Sequence, residues 1–404
     1  MKALYLSCLT LLLALFAGPA GAQIGPVSSP TGPVMAGPYL VVDAATGETL
    51  LQRDPGAAWY PASLTKLMTM YIVFEEMKAG RLRPGDPVVL SKHAESVEYA
   101  GHLGVPVGGS LTIDTALTAL VVKSLNDVAV ALGEKVSGSE PAFAQRMNDT
   151  ARRLGMTATH YVNAHGLPNP GQLTTARDLA VLAVALVRDF PQYYGYFHAD
   201  RLDIGNKHIE GGVKFVEMYS PYAEGLKTGF ICASGFNIVG SASRDGRRLI
   251  AVALGFRRAD LRDEFLVRLF DQAFALKTAG SRPKVWQLRN EASTPGNVLP
   301  QGECGTIRYD MPGDAAWLGT YGDWRTARNA YDVGQAELGS LGLRLGKEYI
   351  LPVTANKATR QAAIIADLEP AAAQKLCAQY RAKKLFCEVK KPQDFQSPFK
   401  GFWR

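Results

Sequence analysis

Three short motifs place residue types that can do chemistry at fixed spacings. In the first, Ser63 and Lys66 are three residues apart, which puts both on one face of a helix. A serine hydroxyl is a weak nucleophile that needs a nearby base, and a lysine can be that base where burial or a neighbouring cation favours its neutral form. This spacing occurs by chance about once or twice in a chain of ordinary composition. The alternative for this motif alone is an exposed helix start with a solvated lysine.

The second motif is Ser124-Leu125-Asn126, within a stretch of helical periodicity. A hydroxyl and an amide two residues apart can face one cleft from a turn. Ser124 could then relay a proton, and Asn126 could hold a substrate amide. The alternative is an ordinary turn at a helix boundary, and this motif by itself does not decide between the two.

The third motif is Lys227-Thr228-Gly229, directly before an apolar run. A cation, a hydroxyl and a position without a side chain suit a ligand that lies along the edge of a strand, because glycine lets another backbone approach closely. Lys227 and Thr228 can bind a carboxylate. The alternative is an ordinary turn before a strand.

The residues around these motifs predict the elements that must position them. In chain order the predicted elements are a hairpin (39–43 and 48–52), a helix after Pro61, a mostly helical stretch (112–190), a second hairpin (235–243 and 248–254) and a closing helix (265–274). The turn Arg244-Asp245-Gly246 is typical of a hairpin. The order predicts a sheet region with an all-helical insertion and a cleft between them.

Composition bounds the classes of protein that this chain can belong to. It has 404 residues, 47% hydrophobic and 20% charged, which is ordinary for a globular protein and allows two domains. The formal net charge of +7 favours anionic surroundings such as a cell wall or lipid headgroups. The positive charges are spread along the chain, so nucleic-acid binding is not predicted.

The N-terminus predicts export. Lys2 precedes a short apolar run, 4–16, and Ala20-Gly21-Ala22 forms a small-residue cleavage site, so 1–22 is interpreted as a signal peptide. No later stretch reaches about 18 uninterrupted apolar residues, so we expect a mature protein with at most peripheral membrane contact.

Export permits disulfides, and four cysteines remain after the signal peptide. Cys377 and Cys387 are close in sequence and could be paired or could be two free thiols. The spacings do not suit a zinc site, because there is no CxxC and no HExxH.

The three motifs occur together, in this order, in serine β-lactamases and penicillin-binding proteins. Residues 38–277 resemble more closely a low-molecular-weight penicillin-binding protein of the D-alanyl-D-alanine carboxypeptidase family. The stretches that carry this resemblance are 43–47 (Asp-Ala-Ala-Thr-Gly), 61–69 (Pro-Ala-Ser-Leu-Thr-Lys-Leu-Met-Thr), Asn126-Asp127, Met147-Asn148, 154–156 (Leu-Gly-Met), 165–167 (His-Gly-Leu), 175–178 (Thr-Ala-Arg-Asp) and 225–229 (Gly-Leu-Lys-Thr-Gly).

The resemblance implies an α+β fold of the serine β-lactamase/transpeptidase type, an antiparallel sheet flanked by helices with an all-helical subdomain. It also implies the role of each site residue. Ser63 would be acylated, Lys66 would be the general base, and Ser124 and Asn126 would assist proton transfer and substrate positioning. Lys227, Thr228 and Gly229 would line the carboxylate pocket, to which Arg257 would contribute. The backbone N–H groups of Ser63 and Phe230 would form the oxyanion hole.

Two positions depart from the family pattern. Leu125 stands where the family usually has glycine, and its side chain could narrow the cleft or point away from it. Ile231 stands where threonine is usual, which could alter substrate preference along the strand. Neither change removes a catalytic group.

Beyond the catalytic region the chain resembles a SPOR domain, a module that binds glycan strands stripped of stem peptides. The resemblance is carried by Trp317-Leu-Gly-Thr-Tyr321, a following Ala-rich helix and a repeat of that pattern ending at Cys387. The alternative is a generic α+β accessory domain. The predicted organisation is a signal peptide (1–22), a leader (23–37), a DD-peptidase domain (38–278), a linker (279–311), a SPOR-like domain (312–391) and a tail (392–404).

The predicted function is therefore a serine-type D-alanyl-D-alanine carboxypeptidase of the bacterial periplasm or wall face of the membrane. It would act on peptidoglycan stem peptides, bind β-lactam antibiotics covalently and need no metal or cofactor. A DD-endopeptidase and a catalytically silent wall-binding protein are the alternatives. A β-lactamase would need a glutamate for the deacylating water that is not evident, and a Ser-His-Asp hydrolase with His165 and Asp178 lacks the G-x-S-x-G elbow.

Overall fold

The structure is a computed structural model that describes residues 28–29, 32–33, 37–97, 103–277, 280–291, 295, 313–322, 324–355 and 358–391. The predicted signal peptide (1–22) and tail (392–404) lie outside the described residues, as do most of the leader and most of the linker.

Strands and helices of the first unit alternate in blocks along the chain. Its strands are β1 (Ser28–Ser29), β2 (Gly32–Pro33), β3 (Tyr39–Asp43), β4 (Thr49–Arg53), β5 (Ala58–Trp59), β6 (Pro87–Val89), β7 (Ser110–Thr112), β8 (Thr174–Thr175), β9 (Arg201–Ile204), β10 (Lys207–Glu210), β11 (Ala223–Ile231), β12 (Gly235–Arg244) and β13 (Arg247–Phe256). Its helices are α1 (Lys66–Lys78), α2 (Lys92–Ser96), α3 (Ile113–Val122), α4 (Asn126–Ser137), α5 (Glu140–Leu154), α6 (Ala176–Asp189), α7 (Lys214–Met218) and α8 (Ala259–Ala275).

A five-stranded antiparallel sheet in the order β11-β12-β13-β3-β4 forms the centre of this unit. Alternate residues of its central strands point to opposite faces, and both faces are covered. Leu40 and Val252 pack into the core shared with α1, α3, α4 and α6, whereas Val41 and Ala251 pack into a second core under α8. Burial on both faces explains the continuous apolar run 249–256 of β13.

Local signals place the helices of the insertion. Thr112, Ser139 and Thr175 are N-cap residues whose side chains accept a hydrogen bond from the first turn of α3, α5 and α6. The predicted antiparallel sheet, its flanking helices and the helical insertion are confirmed. The sequence pattern did not predict the β9–β10 hairpin or α7, which lie between α6 and β11.

Residues 280–291, within the predicted linker, pack against the first unit. Val285 is fully buried, and the backbone of Thr49 donates a hydrogen bond to Pro283 O. Asn290 accepts a hydrogen bond from Thr175 Oγ1 and donates one to Asp178 Oδ1, at 2.8 and 2.9 Å.

The second unit is an antiparallel sheet in the order β15-β16-β14-β17 with two helices packed on it. Its elements are β14 (Asp314–Tyr321), α9 (Trp324–Ser340), β15 (Lys347–Ala355), β16 (Ala358–Leu368), α10 (Pro370–Ala382) and β17 (Glu388–Lys390). The pattern did not locate β15. Cys377 and Cys387 form a disulfide, which resolves the pairing that the sequence left open. Among the described residues, no helix has the length and apolar character needed to cross a membrane.

Candidate active site

Ser63 lies in a 3-10 turn, 62–65, that leads directly into α1, and Lys66 is the first residue of that helix. Lys66 Nζ lies 2.9 Å from Ser63 Oγ, 2.8 Å from Asn126 Oδ1 and 2.8 Å from the backbone oxygen of His165. The side chain of Lys66 is completely buried. The first two motifs and the 163–167 loop therefore meet at one amine.

These contacts assign a direction to each hydrogen bond when Lys66 is neutral. The carbonyl oxygens of Asn126 and His165 can only accept, so they use both N–H bonds of a neutral amine. The remaining lone pair then lies 2.9 Å from the Ser63 hydroxyl, which can donate its proton to it. This arrangement can turn a serine hydroxyl into a nucleophile.

Burial and charge both favour the neutral amine. Desolvation holds the pKa of Lys66 well below its usual value, and the nearby charge of Lys227 lowers it further, against a smaller opposite effect of Asp127. Desolvation likewise lowers the pKa of Lys227 to about 7, with a further contribution from the charge of Arg262. Burial and a neighbouring positive charge therefore make both amines easier to deprotonate.

Ser124 occupies the sharp turn between α3 and α4. Its φ of 57° lies in the left-handed region, which is unusual for a non-glycine residue and marks a constrained backbone. Its Oγ is buried and has no hydrogen-bond partner within the described part of the chain. A hydroxyl held in this way is available to a substrate group.

Leu125 points away from the cleft. It is the N-cap residue of α4, is 6% exposed and belongs to the large core between sheet and helices. Of the two orientations that the sequence left open for this side chain, the structure has the buried one.

The third motif lies on β11, the edge strand of the central sheet. A Cβ atom on Gly229 would come within 3.0 Å of the backbone nitrogens of Ser63 and Leu64. The strand therefore approaches the 3-10 turn more closely than a side chain at this position would fit without a shift of the backbone, which explains the glycine. Lys227 is paired with Val239 and is buried, whereas Thr228 is partly exposed.

The next residues of β11 form an apolar rim. The ring of Phe230 packs on that of Phe236 with centroids 4.2 Å apart. Ile231 follows at the end of the strand and is half-buried. Cys232 is disulfide-bonded.

Arg257 and Arg262 both follow β13 in the chain. Arg257 is exposed at the end of β13. Arg262, on the first turns of α8, is 6% exposed, and its charge lowers the pKa of Lys227. No sequence motif marks Arg262, because only the packing of α8 on the sheet brings it there.

His165 and Asp178 do not form a catalytic pair with Ser63. His165 Nδ1 accepts a hydrogen bond from the backbone of Leu167, and its Nε2 faces Glu140 at 3.3 Å. Asp178 instead accepts hydrogen bonds from Ala158 N and from Asn290. The described residues contain no cluster of His, Cys, Asp or Glu side chains that could hold a metal ion.

Comparison with known proteins gives a consistent result. The family model described as D-alanyl-D-alanine carboxypeptidase matches residues 26–258. D-alanyl-D-alanine carboxypeptidase DacC of Escherichia coli is 32% identical over 275 residues, which cover 67% of this chain and 66% of that protein. The chain thus spans just under two thirds of this curated relative's length.

Solved structures share the fold. The crystal structure of penicillin-binding protein 5 from Haemophilus influenzae superposes with a TM-score of 0.57 at 28% identity, covering 62% of this chain and 73% of that one. Penicillin-binding protein D2 from Listeria monocytogenes, in its cefotaxime-bound form, has a TM-score of 0.51 at 25% identity, covering 59% of this chain and 97% of that one.

Proposed function

Because this chain belongs to the D-alanyl-D-alanine carboxypeptidase family, we propose that it is a serine-type DD-carboxypeptidase that removes the terminal D-alanine from peptidoglycan stem peptides. The observation that carries the proposal is the buried amine of Lys66, 2.9 Å from the Ser63 hydroxyl. A serine activated in this way can form an acyl-enzyme without a histidine.

The acylation step follows from these contacts. Lys66 Nζ takes the Ser63 proton as Oγ attacks the carbonyl carbon of the penultimate D-alanine. The backbone N–H groups of Ser63 and Phe230 stabilise the oxyanion; Gly229, whose missing side chain lets β11 approach Ser63, supports this assignment. As the C–N bond breaks, the departing amine of D-alanine takes up a proton, which the unpaired Ser124 hydroxyl can relay from Lys66.

Hydrolysis of the ester regenerates the enzyme. Lys66, neutral again after passing its proton to the leaving amine, can remove a proton from the attacking water. The tetrahedral intermediate then collapses, Ser63 Oγ recovers a proton, and the shortened peptide leaves.

Substrate recognition is assigned to the cleft edge. Lys227 and Thr228 would bind the terminal carboxylate, and Asn126 would hold the peptide amide. Arg257, which is exposed just beyond β13, would contribute to the same pocket, whereas Arg262 is held in a buried ion pair with Asp263. Phe230 and Ile231 would give the apolar rim of the site.

Covalent binding of β-lactams tests this proposal directly. Listeria penicillin-binding protein D2 is known in a cefotaxime-bound form, and a β-lactam presents an amide carbonyl and a carboxylate in one small ring system. We expect a fluorescent penicillin to label the protein and Ser63→Ala to abolish labelling. No labelling of the folded wild-type protein would instead favour a catalytically silent wall-binding protein.

Two activities share these groups and are separated by their products. A carboxypeptidase releases free D-alanine from a pentapeptide ending in D-Ala-D-Ala, whereas a DD-endopeptidase cuts peptide cross-links between strands. Mass spectrometry of muropeptides after digestion distinguishes them. Release of free D-alanine supports the carboxypeptidase, and cross-link cleavage without free D-alanine supports the endopeptidase.

The second unit is proposed to be a SPOR-like domain that binds glycan strands, which would hold an exported, periplasmic enzyme on its substrate. On β14, Ala316 and Leu318 face the helices, so Trp317 points to the opposite face of the sheet. Trp317 packs edge-on against Phe386 at 5.3 Å, and Lys390 Nζ lies 5.5 Å from its ring centroid. Aromatic faces beside a cation suit a sugar polymer that carries hydroxyl and carbonyl groups.

A further inference from the structure

A buried carboxylate supports the loop that carries one of the hydrogen-bond acceptors of Lys66. Glu140 is the first residue of α5 and is 8% exposed. Its Oε1 accepts a hydrogen bond from the backbone of Ala164 at 3.0 Å and lies 3.3 Å from His165 Nε2. The same His165 presents its backbone oxygen to Lys66 Nζ at 2.8 Å.

The hydrogen bonds of the His165 ring fix its proton on Nε2. The backbone N–H of Leu167 donates to Nδ1 at 3.1 Å, so Nδ1 is the acceptor and a neutral ring carries its proton on Nε2, towards Glu140. Burial lowers the pKa of His165, which favours the neutral ring. The side chain of His165 is thus tied to Glu140 while its backbone is tied to Lys66.

Glu140 remains a carboxylate in this setting. Burial raises its pKa, but hydrogen bonds from His165, Ala164 and His93 outweigh burial and bring the pKa to about 2. His93 lies on α2, and its Nε2 is 2.7 Å from Glu140 Oε2. The side chain of His93 is 53% exposed. Helices α2 and α5 and the 163–167 loop therefore converge on one carboxylate.

We propose that Glu140 is a positioning residue for acylation: its carboxylate fixes the 163–167 loop so that the His165 carbonyl holds the Lys66 amine in line with Ser63. The inference rests on the proposed roles of Ser63 and Lys66. Without the Glu140 contacts the loop keeps its hydrogen bonds from Thr69 to Ala164 O and from Gly166 N to Asn163, but the His165 carbonyl is held less firmly. The lone pair of the amine is then less well directed at the hydroxyl.

The charges around Lys66 give this proposal a pH signature. Lys66 is faced by Lys227 from β11, by Asp127 from α4 and by His165 from the loop, and Glu140 lies behind His165. Glu140→Gln removes a negative charge, and the neutral hydrogen bonds that Gln accepts from Ala164 and His165 are weaker, so the carbonyl that stabilises the ammonium form is held less firmly. Both effects lower the pKa of Lys66, so the acid limb of the acylation profile moves to lower pH while the maximal rate falls.

The test is the rate of acylation by a fluorescent penicillin, measured against pH on the full chain. For Glu140→Gln we expect a maximal rate reduced about tenfold, equivalent to about 1.4 kcal/mol in the barrier, an acid limb at lower pH and little change in KM for peptide. The matched control is Glu134→Gln, because Glu134 accepts a hydrogen bond from Ser91 and, within the described part of the chain, makes no hydrogen bond or ion pair to the 163–167 loop. It should behave as wild type.

Failure of the proposed function and failure of the positioning role of Glu140 give different results. If wild type is not labelled, the proposed function fails and Glu140 is not at issue. If wild type is labelled and Glu140→Gln matches Glu134→Gln in rate and pH profile, the positioning role is wrong. Should Glu140→Gln not fold, His165→Ala decides, because it removes the tie to Glu140 but keeps the carbonyl. A lower maximal rate is then expected with a smaller shift of the acid limb, because Glu140 keeps its charge, and a wild-type profile overturns the inference.

Discussion

At the scale of single residues, two lysines share one buried cleft and have opposite tasks. Lys66 must be neutral to accept the Ser63 proton, whereas Lys227 must be charged to attract a carboxylate. Burial and the charge of Lys227 lower the pKa of Lys66, which favours its neutral form, whereas Lys227, whose pKa is lowered to about 7, is protonated below that pH.

Lys227 gives a pH prediction whose sign is fixed by its lowered pKa. The amine is cationic below about pH 7 and loses its charge as pH rises through that value. We therefore expect KM for a peptide with a free terminal carboxylate to increase above about pH 7. A peptide with an amidated terminus, which makes no such ion pair, is the control, and an equal increase for both ligands would contradict the assignment.

At the scale of elements, the site depends on how turns and strand ends meet. The Ser63 turn, the Ser124 turn and β11 approach one another because the core between sheet and helices holds α1 and α4 against β12 and β13. The glycine at 229 and the constrained backbone at Ser124 occur where two of these elements end or touch. Such local exceptions are expected at functional sites.

A substitution at Leu125 tests whether this core holds the second motif in place. It is 6% exposed and packed in the large core, so Leu125→Ala should lower the free energy of unfolding by about 2–4 kcal/mol, as for other large-to-small core changes. Denaturant unfolding measures the loss. Thr118→Ala, on a partly exposed position of α3, is the control. An unchanged stability together with a changed substrate preference would mean that Leu125 faces the cleft instead.

At the scale of the whole molecule, the chain has two units with separate cores. Residues 280–291 belong physically with the first unit, because Val285 is buried there and Asn290 bonds to Asp178. Under the proposed function, the first unit carries the chemistry and the second attaches to glycan. We expect these activities to be separable.

A chain that ends at residue 291 tests this separation. It should keep penicillin labelling, because the site and the segment packed beside it are intact, and it should lose co-sedimentation with glycan strands freed of stem peptides.

In the full chain, Trp317→Ala should also lose co-sedimentation while labelling is kept. The control is Val333→Ala, an exposed position on α9, and glycan binding that survives Trp317→Ala would exclude the Trp317 face as its site.

The sequence by itself determined the chemistry-bearing motifs and many of the elements, though not the β9–β10 hairpin, α7 or β15. Apolar periodicity located both hairpins, and N-cap residues such as Ser139 mark helix starts, because these signals are local. The spacing of Ser63 and Lys66 was enough to put both on one helix face. The α+β fold and the family followed from motif order and resemblance.

Only the tertiary structure decided what surrounds the amine of Lys66. The His165 carbonyl, Glu140 and Arg262 come from segments far from Ser63 in sequence, and their types and spacing form no local pattern. The orientation of Leu125 and the pairing of Cys377 were likewise undecided until the core was assembled. The physical reason is that a lowered pKa and a directed lone pair arise from burial and from contacts between distant segments, which exist only once the chain has folded.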